Sequence, residues 1–295
     1  MSALTTSPAG GAGARTGGPA VRRGPTFPRV VASEWTKLTS LRSTAVIAVA
    51  TVVVSWALTY LAANASSVDP GFVPLDSLTA GLLLAQVGPL VLGILVGTGD
   101  FTTGTFRSTF TAVPRRLPVL AAQVVAVGAS ALVVAAASVV AAVVALVPAA
   151  SSRGIPLDLT GDGTPQVLVG MAAFLVAMAL LGLAVGALLR SPVPAVALAV
   201  VLVLVLPVVL SLGSDLATDP MSPAEGTVSS QQSLVNTVVT FLPSGAADLL
   251  VRGPGGSGIE GAPDLGPWGG ALVLVGWVLV PLAVAAVRLR ARDVV

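Results

Sequence analysis

The sequence predicts an all-α integral membrane protein built around six transmembrane helices. Of the 295 residues, 55% are hydrophobic and only 9% are charged, whereas about 25% of the residues in a typical soluble domain are charged. Six apolar runs reach the length of about 20 residues that a helix needs to cross a hydrocarbon core. Basic residues are also distributed unevenly between the connecting segments, which is typical of chains threaded through a membrane.

The first 29 residues are predicted to form a disordered cytoplasmic tail, followed by a single six-span domain over residues 30–295. The tail is rich in Gly, Ala, Pro, Thr and Ser, so it offers too little apolar surface to offset the entropy of ordering. It has no apolar stretch before Ala45 and therefore does not resemble a standard cleavable signal peptide.

Residues 30–42 are predicted to form an amphipathic interface helix that lies on the membrane before the first span. Four apolar side chains recur at helical spacing on one face: Val31, Trp35, Leu38 and Leu41. Glu34 and Lys37 lie on other faces, and a tryptophan at the edge of a span favours the headgroup region. The alternative is that this segment is only the solvated start of span one.

The six predicted spans are separated by short connections, except before the last one. The third span is long enough to tilt or to protrude from the bilayer, and spans four and five should form a tight helical hairpin. The predicted boundaries are Ala45–Ala63, Ser77–Gly97, Val119–Val147, Gln166–Leu189, Val193–Leu212 and Trp268–Val287.

Charge predicts the orientation of these spans. The segments before span one, after spans two and four, and after span six all lie on one side of the membrane. They carry 13 of the 15 basic residues, whereas only Arg153 and Arg252 lie on the opposite side. The opposite side instead holds 10 of the 13 acidic residues. By the positive-inside rule, we expect a protein of the cell membrane with both termini in the cytoplasm.

Two of the connecting segments are predicted to form short helices. Gly97–Pro118, between spans two and three, alternates polar and aromatic residues and carries four charged side chains, which favours a short cytoplasmic helix that a partner protein could move. Before span six, Ser233–Val251 is partly apolar but interrupted by Pro243 and Gly245. We expect it to form a pair of short re-entrant or surface helices on the outer side.

The residue types present exclude several kinds of chemistry. The chain has no Cys and no His, which rules out disulfides, thiolate chemistry and Cys/His metal sites. It also lacks the Gly-rich sequence of a phosphate-binding loop, so any ATP must be bound by another polypeptide. The carboxylate pairs Asp158–Asp162 and Asp215–Asp219 lie in outer loops, where solvated acids are a better interpretation than a metal site. We therefore predict neither a catalytic centre nor a metal site, and nothing points to nucleic acid.

Polar and small residues within the spans leave two questions open. Gln86 and Gln123 are the best candidates to line a substrate path, although interhelical hydrogen bonds are the simpler explanation for such residues. Gly93–Gly97 and Gly182–Gly186 match the small-xxx-small pattern of close helix contact. That pattern fits packing within one chain as well as it fits dimerisation.

The order of several short motifs resembles that of a known family. They are Glu34-Trp35-Thr36-Lys37-Leu38 and Leu41-Arg42-Ser43 before span one, Gly99-Asp100-Phe101-Thr102-Thr103-Gly104-Thr105-Phe106-Arg107 after span two, Pro114-Arg115-Arg116 entering span three, Gly186–Ser191 at the end of span four, Leu242-Pro243-Ser244 before span six, and a basic tail. From Val30 onward the chain is similar to permease subunits of type-2 ABC exporters, in their actinobacterial form. The family usually has Glu-Tyr or Glu-Phe where this chain has Asp100-Phe101.

The resemblance implies a half-transporter that works with a separate ABC ATPase subunit. That subunit would bind ATP and magnesium, whereas this chain would bind no cofactor. A coupling helix between spans two and three would sit in a groove of the ATPase, and a second permease copy or a related permease would complete the transporter. The residues implied in coupling are Asp100, Phe101, Gly104, Thr105, Phe106 and Arg107, and those of the interface helix are Glu34, Trp35, Lys37 and Leu38.

The function implied is export of an amphipathic or lipid-like compound, such as an antibiotic. The alternative is a polytopic membrane immunity or sensor protein that transports nothing.

Overall fold

Every regular element that the structure describes is helical. The structure, a computed structural model, describes residues 26–102, 116–161, 163–217, 229–253, 256 and 258–291. The helices are α1 (Phe27–Ser40), α2 (Arg42–Ser66), α3 (Leu82–Ala85), α4 (Val87–Thr102), α5 (Arg116–Ser152), α6 (Thr164–Leu189), α7 (Pro192–Val200), α8 (Leu206–Ala217), α9 (Ser230–Phe241), α10 (Pro243–Val251) and α11 (Gly266–Ala291). A 3₁₀ turn spans Pro74–Ser77, and a π-helical segment, Val201–Val205, joins α7 to α8.

The prediction of six spans is confirmed. Six segments of the described chain are long and apolar enough to cross a membrane, and the boundaries lie a few residues outside those expected. They are Arg42–Ser66, Pro74–Thr102, Leu117–Ser152, Thr164–Leu189, Pro192–Gly213 and Gly266–Arg290. The pair α9 and α10, bent by 80°, would count as a seventh only if it were a single span.

The breaks between helices follow from local backbone chemistry. Leu41 is extended and separates α1 from α2. Pro243 starts α10 after an extended Leu242, which gives the expected bend before the last span. The tight turn between α6 and α7 forms because Arg190 adopts a left-handed conformation, with φ of 57°, and its N–H bonds to the carbonyl of Gly186 at 2.8 Å.

The helix α1 begins at Phe27, earlier than the predicted interface helix, with Pro28 in its first turn. Its buried side chains are Val30, Glu34 and Leu38, which form one stripe against the rest of the chain. Of the apolar residues expected on one face, Trp35 and Leu41 remain exposed. Residues 1–25 of the predicted tail lie outside the described part of the chain.

The centre of the bundle is the contact between α4 and α6, and glycines make it close. A Cβ at Gly97 would lie 2.5 Å from the carbonyl oxygen of Leu183, and one at Gly186 would lie 2.8 Å from that of Ile94. Cβ atoms at Gly93 and Gly182 would meet backbone oxygens of the opposite helix even more closely. Both small-xxx-small motifs therefore pack against each other within one chain, which answers the question that the sequence left open.

Polar residues on α2 face inward along a second seam. Thr51, Ser55 and Thr59 are buried on one side of α2. The hydroxyl of Ser55 donates a hydrogen bond of 3.1 Å to the carbonyl of Ser138 on α5. An interhelical hydrogen bond was the simpler expectation for polar residues within the spans; Ser55 forms one, whereas Thr51 donates to the carbonyl of Ile47 within α2. The opposite face of α2, with Val46, Val49 and Val53, is exposed.

Candidate functional site

Four polar side chains from three helices meet where α4 ends. Lys37 Nζ on α1 lies 2.7 Å from Glu34 Oε1 and 3.2 Å from Asp100 Oδ1 on α4. Gln123 Nε2 on α5 donates a 2.9 Å hydrogen bond to the second carboxylate oxygen, Asp100 Oδ2. We refer to Glu34, Lys37, Asp100 and Gln123 as the charge node.

Burial makes the pairing in the charge node necessary. Glu34 lies on the buried stripe of α1 and is only 4% exposed, and a carboxylate without a partner there would be strongly unfavourable. Burial raises the pKa of Glu34, and Lys37 opposes that rise through its hydrogen bond and charge. For Lys37, burial acts to lower the pKa, but the hydrogen bond to Glu34 and the charges of Asp100 and Glu34 outweigh it and raise the pKa. The arrangement therefore holds Lys37 in its protonated form.

Lys37→Met is expected to destabilise the protein by about 1–2 kcal/mol, because Glu34 then loses its cation. This is less than for a fully buried pair, since the Lys37 side chain is 45% exposed to solvent. Adding Glu34→Gln to Lys37→Met should recover most of the loss. The measurement is thermal unfolding of the purified chain in detergent, with Arg42→Met as the control for removing an exposed cation.

The loss of stability caused by Lys37→Met is expected to depend on pH. A carboxyl group whose pKa is raised in the folded state binds a proton more tightly there, so it favours folding as the pH falls. The deficit of Lys37→Met should therefore shrink as the pH is lowered toward the ordinary Glu value of 4.5. A deficit that stays constant between neutral pH and that value would show that Glu34 does not cause it.

Phe101, the residue after Asp100, packs inside the chain. It lies against a small apolar cluster formed by Leu120, Ala187, Ala285 and Leu289 from α5, α6 and α11. The guanidinium carbon of Arg190 lies 5.0 Å from the centre of the Phe101 ring, close enough for a cation–π interaction. The last turn of α4 is thus fixed to three other helices.

The end of α11 is fixed at the same place. Arg288 Nη1 donates a 2.8 Å hydrogen bond to the carbonyl of Leu188, in the last turn of α6. A cation at this position also interacts favourably with the unpaired carbonyls of a helix C-terminus. The ends of α4, α6 and α11 therefore meet at one end of the bundle, beside the start of α5.

The structure places the sequence-predicted residues in different surroundings. Asp100, Glu34, Lys37 and Gln123 come together, whereas the predicted coupling residues Gly104, Thr105, Phe106 and Arg107 lie outside the described residues. Leu38 is buried against Leu92, Ala126 and Val127, and Trp35 is exposed.

The two glutamines proposed for a substrate path have different contacts. Gln86 is buried, and its Nε2 donates to the carbonyl of Leu83 within the same span, 2.7 Å away. Gln123 is also buried but is held by Asp100. The structure does not bring them together, and a substrate path stays a prediction.

The contacts of the site that sequence reasoning missed include the ion pair between Lys37 and Asp100 and the bond from Arg288 to Leu188. The first had a weak signal, because Lys37 and Asp100 are isolated charges predicted on the same side of the membrane. The second had none, since its acceptor is a backbone carbonyl. In the described part of the chain, no group of Asp, Glu, His or Cys is arranged to hold a metal ion.

This fold and this site define a multi-pass membrane protein whose charged side chains join the helices at one end of the bundle. A family model for the ABC-2 family transporter proteins matches residues 29–294, which is nearly the whole chain. The chain belongs to this family and is a membrane permease subunit of an ABC transporter, as its motifs predicted. No curated protein matches the chain.

Proposed function

We propose that this permease is the membrane half of an exporter whose ATP is hydrolysed, with magnesium, by a separate ATPase subunit. The observation that carries the proposal is the way in which α4 ends. Its last turn contacts α1 and α5 through Asp100, and α5, α6 and α11 through Phe101. Residues 103–115 follow directly, so a force applied to that segment would reach four other helices at once.

The energetic logic is a shift between two populations. Closure of the ATPase pair around ATP can move the permease only if the closed pair binds one permease conformation better than the other. The closed pair would distinguish the two conformations through its contact with segment 103–115, which contains Gly104, Thr105, Phe106 and Arg107. Asp100 and Phe101 would transmit it to the bundle, and Glu34 and Lys37 would carry it to α1.

The transporter requires a second permease, either another copy of this chain or a related one. The exposed apolar face of α2 offers a surface for such a partner or for lipid. The exported compound would be amphipathic or lipid-like, because the chain offers wide apolar surfaces together with polar groups at one end of the bundle.

The proposed topology places both termini and segment 103–115 in the cytoplasm of a cell-membrane protein, and residues 218–265 outside. The chain has no cysteine, so single cysteines can be introduced without background. In intact cells, Ser257→Cys should react with an impermeant maleimide, and Ser108→Cys should react only after the membrane is opened. Equal labelling of both in intact cells would contradict the topology.

An ATPase assay tests whether ATP is hydrolysed by the partner subunit and not by the permease. The permease purified from cells that lack its ATPase should hydrolyse no ATP above the level of a mock purification, because it has no phosphate-binding loop. Adding the purified ATPase should produce hydrolysis that candidate substrates stimulate. Robust activity that follows the permease through an ATPase-free preparation would overturn the proposal.

A further inference from the structure

The helix α1 lies along one boundary of the membrane, because each of its ends meets the start of a span. Val30, in its first turn, packs against Val119 and Ala122 in the first two turns of span three. At the other end, the extended Leu41 connects α1 to Arg42, where span one begins. The chain crosses the membrane twice between these two starts, so both lie on the same side, and the exposed surface of α1 lies at the level of the headgroups.

This exposed surface carries two cations that the rest of the described chain does not bind. Arg29 on α1 and Arg42 at the start of α2 both have exposed side chains. Neither guanidinium forms an ion pair or a hydrogen bond with any residue that the structure describes. Lys37 differs, because it is bound by Glu34 and Asp100. Arg29 and Arg42 are therefore available to a partner outside the chain.

The stretch of sequence around these cations is poor in acids. Residues 1–68 contain six basic residues and a single acid, Glu34. Glu34 lies on the buried stripe of α1, and Lys37 binds its carboxylate. The exposed side of α1 thus presents positive charge without a matching negative charge of its own, and it fits a partner that carries a surplus of negative charge.

Apolar side chains lie beside the cations on the same helix. Phe27, Val31 and Trp35 recur at every fourth position and form one line along α1. Phe27 is 46% exposed and Trp35 is 41% exposed. A bilayer surface matches both features, because tryptophan favours the headgroup level and arginine can lay its stem along hydrocarbon while its guanidinium stays among the phosphates.

We propose that α1 and the start of α2 form a docking surface for anionic phospholipids, with the headgroups beside Arg29 and Arg42 and the acyl chains beside Trp35. Phosphatidylglycerol, which carries a net negative charge, represents this class. In phosphatidylcholine the choline cation offsets the phosphate. Basic residues at a membrane surface attract anionic lipids, so the two arginines should enrich phosphatidylglycerol around α1.

This inference goes beyond the proposed function, because the docking of lipid needs neither ATP nor the ATPase. It can be tested on the permease alone. The inference can therefore fail while the export proposal stands, and failure of the export proposal would not change the lipid result.

The test uses the full chain in nanodiscs of phosphatidylglycerol and phosphatidylcholine in equal amounts, at neutral pH and low ionic strength. Two preparations share this headgroup composition, but in one the phosphatidylglycerol is brominated high on its acyl chains, and in the other the phosphatidylcholine is. Bromine quenches tryptophan fluorescence only at close range, so quenching of Trp35 reports which lipid lies beside α1. The signal of Trp35 is the difference between the wild-type chain and Trp35→Phe.

The wild-type chain should show a preference for phosphatidylglycerol of at least about threefold in relative association constant. Raising the salt to about 1 M, where the screening length falls to about 3 Å, should bring the ratio close to one. Arg29→Gln combined with Arg42→Gln should do the same at low salt. Arg29→Lys combined with Arg42→Lys should keep most of the preference, because the charges remain. The matched control is Arg290→Gln, which removes an exposed cation at the end of span six and should leave the ratio unchanged.

A wild-type ratio of one at low salt would overturn the proposal. An equal loss of preference in Arg290→Gln would also overturn it, since the attraction would then belong to the basic chain as a whole. If the two glutamine substitutions leave the ratio unchanged but weaken binding of the purified ATPase, the surface docks a protein and not lipid. Size exclusion identifies any variant that fails to fold, and the wild-type ratio with its salt dependence does not rely on the arginine variants.

Discussion

Gly182→Ala is expected to destabilise the helical bundle by at least about 2 kcal/mol. The added methyl group would meet the carbonyl oxygen of Leu90, which belongs to the backbone of α4 and cannot rotate away. The two helices would have to move apart, and close van der Waals contact is the main force that holds helices together in lipid. Gly93→Ala should have a similar effect, because its methyl group would meet the carbonyl oxygen of Ala179.

The measurement is the midpoint of thermal unfolding in detergent, followed by fluorescence-detected size exclusion. The matched control is Gly276→Ala on α11, where an added Cβ would meet no described atom within 4 Å apart from its chain neighbours and the backbone of its own helix. That variant should change stability by less than about 0.5 kcal/mol. Since one variant already separates the helices, the double variant should lose less than the sum of the two. Equal midpoints for Gly182→Ala and Gly276→Ala would contradict the described packing of α4 and α6.

Phe106→Ala is expected to weaken association with the ATPase by at least about 2 kcal/mol, which is about 30-fold in the dissociation constant. Aromatic side chains contribute strongly to binding when they are buried in a partner's groove, and Phe106 is one of the two aromatic residues of segment 103–115, beside Phe110. The permease itself should remain folded. Phe101→Ala should differ, because Phe101 packs inside the chain. It should lower the unfolding temperature as well as weaken coupling.

The binding measurement is titration of the purified ATPase onto immobilised permease, with size exclusion as the check on folding. Phe241→Ala is the matched control: Phe241 is an exposed aromatic residue at the end of α9, on the proposed outer side. Its loss should leave association unchanged. If Phe106→Ala and Phe241→Ala bind the ATPase equally well, the segment after α4 is an ordinary loop.

The spans were predictable because hydropathy is a local property. Each run of about 20 apolar residues is long enough to cross a membrane as a helix, whatever the rest of the chain does. Six helices could therefore be predicted from composition and length alone. Breaks at Pro243 and Arg190 were predictable for the same reason, since backbone restrictions act on neighbouring residues. The glycine motifs indicated close contact but not its partner, because the sequence pattern is the same for packing within and between chains.

The site was only partly predictable because its contacts join distant parts of the chain. Glu34 and Lys37 are one turn apart, so their pairing was within reach of sequence reasoning. Their contact with Asp100, and that of Asp100 with Gln123, depends on how α1, α4 and α5 pack. The face of α1 also differs from the expected one: the stripe with Val30, Glu34 and Leu38 is buried because the rest of the bundle covers it. An apolar stripe in the sequence does not distinguish a face that contacts protein from one that contacts lipid.

The most direct test of the account is purification of the tagged permease from its native membranes, followed by a magnesium-dependent ATPase assay. We expect the wild-type chain to retain a second polypeptide with a phosphate-binding loop and with ATPase activity. Phe106→Ala, purified in the same amount, should lose both, whereas Phe241→Ala should keep them. A wild-type preparation without magnesium-dependent ATPase activity, or one whose activity is unchanged by Phe106→Ala, would contradict the account.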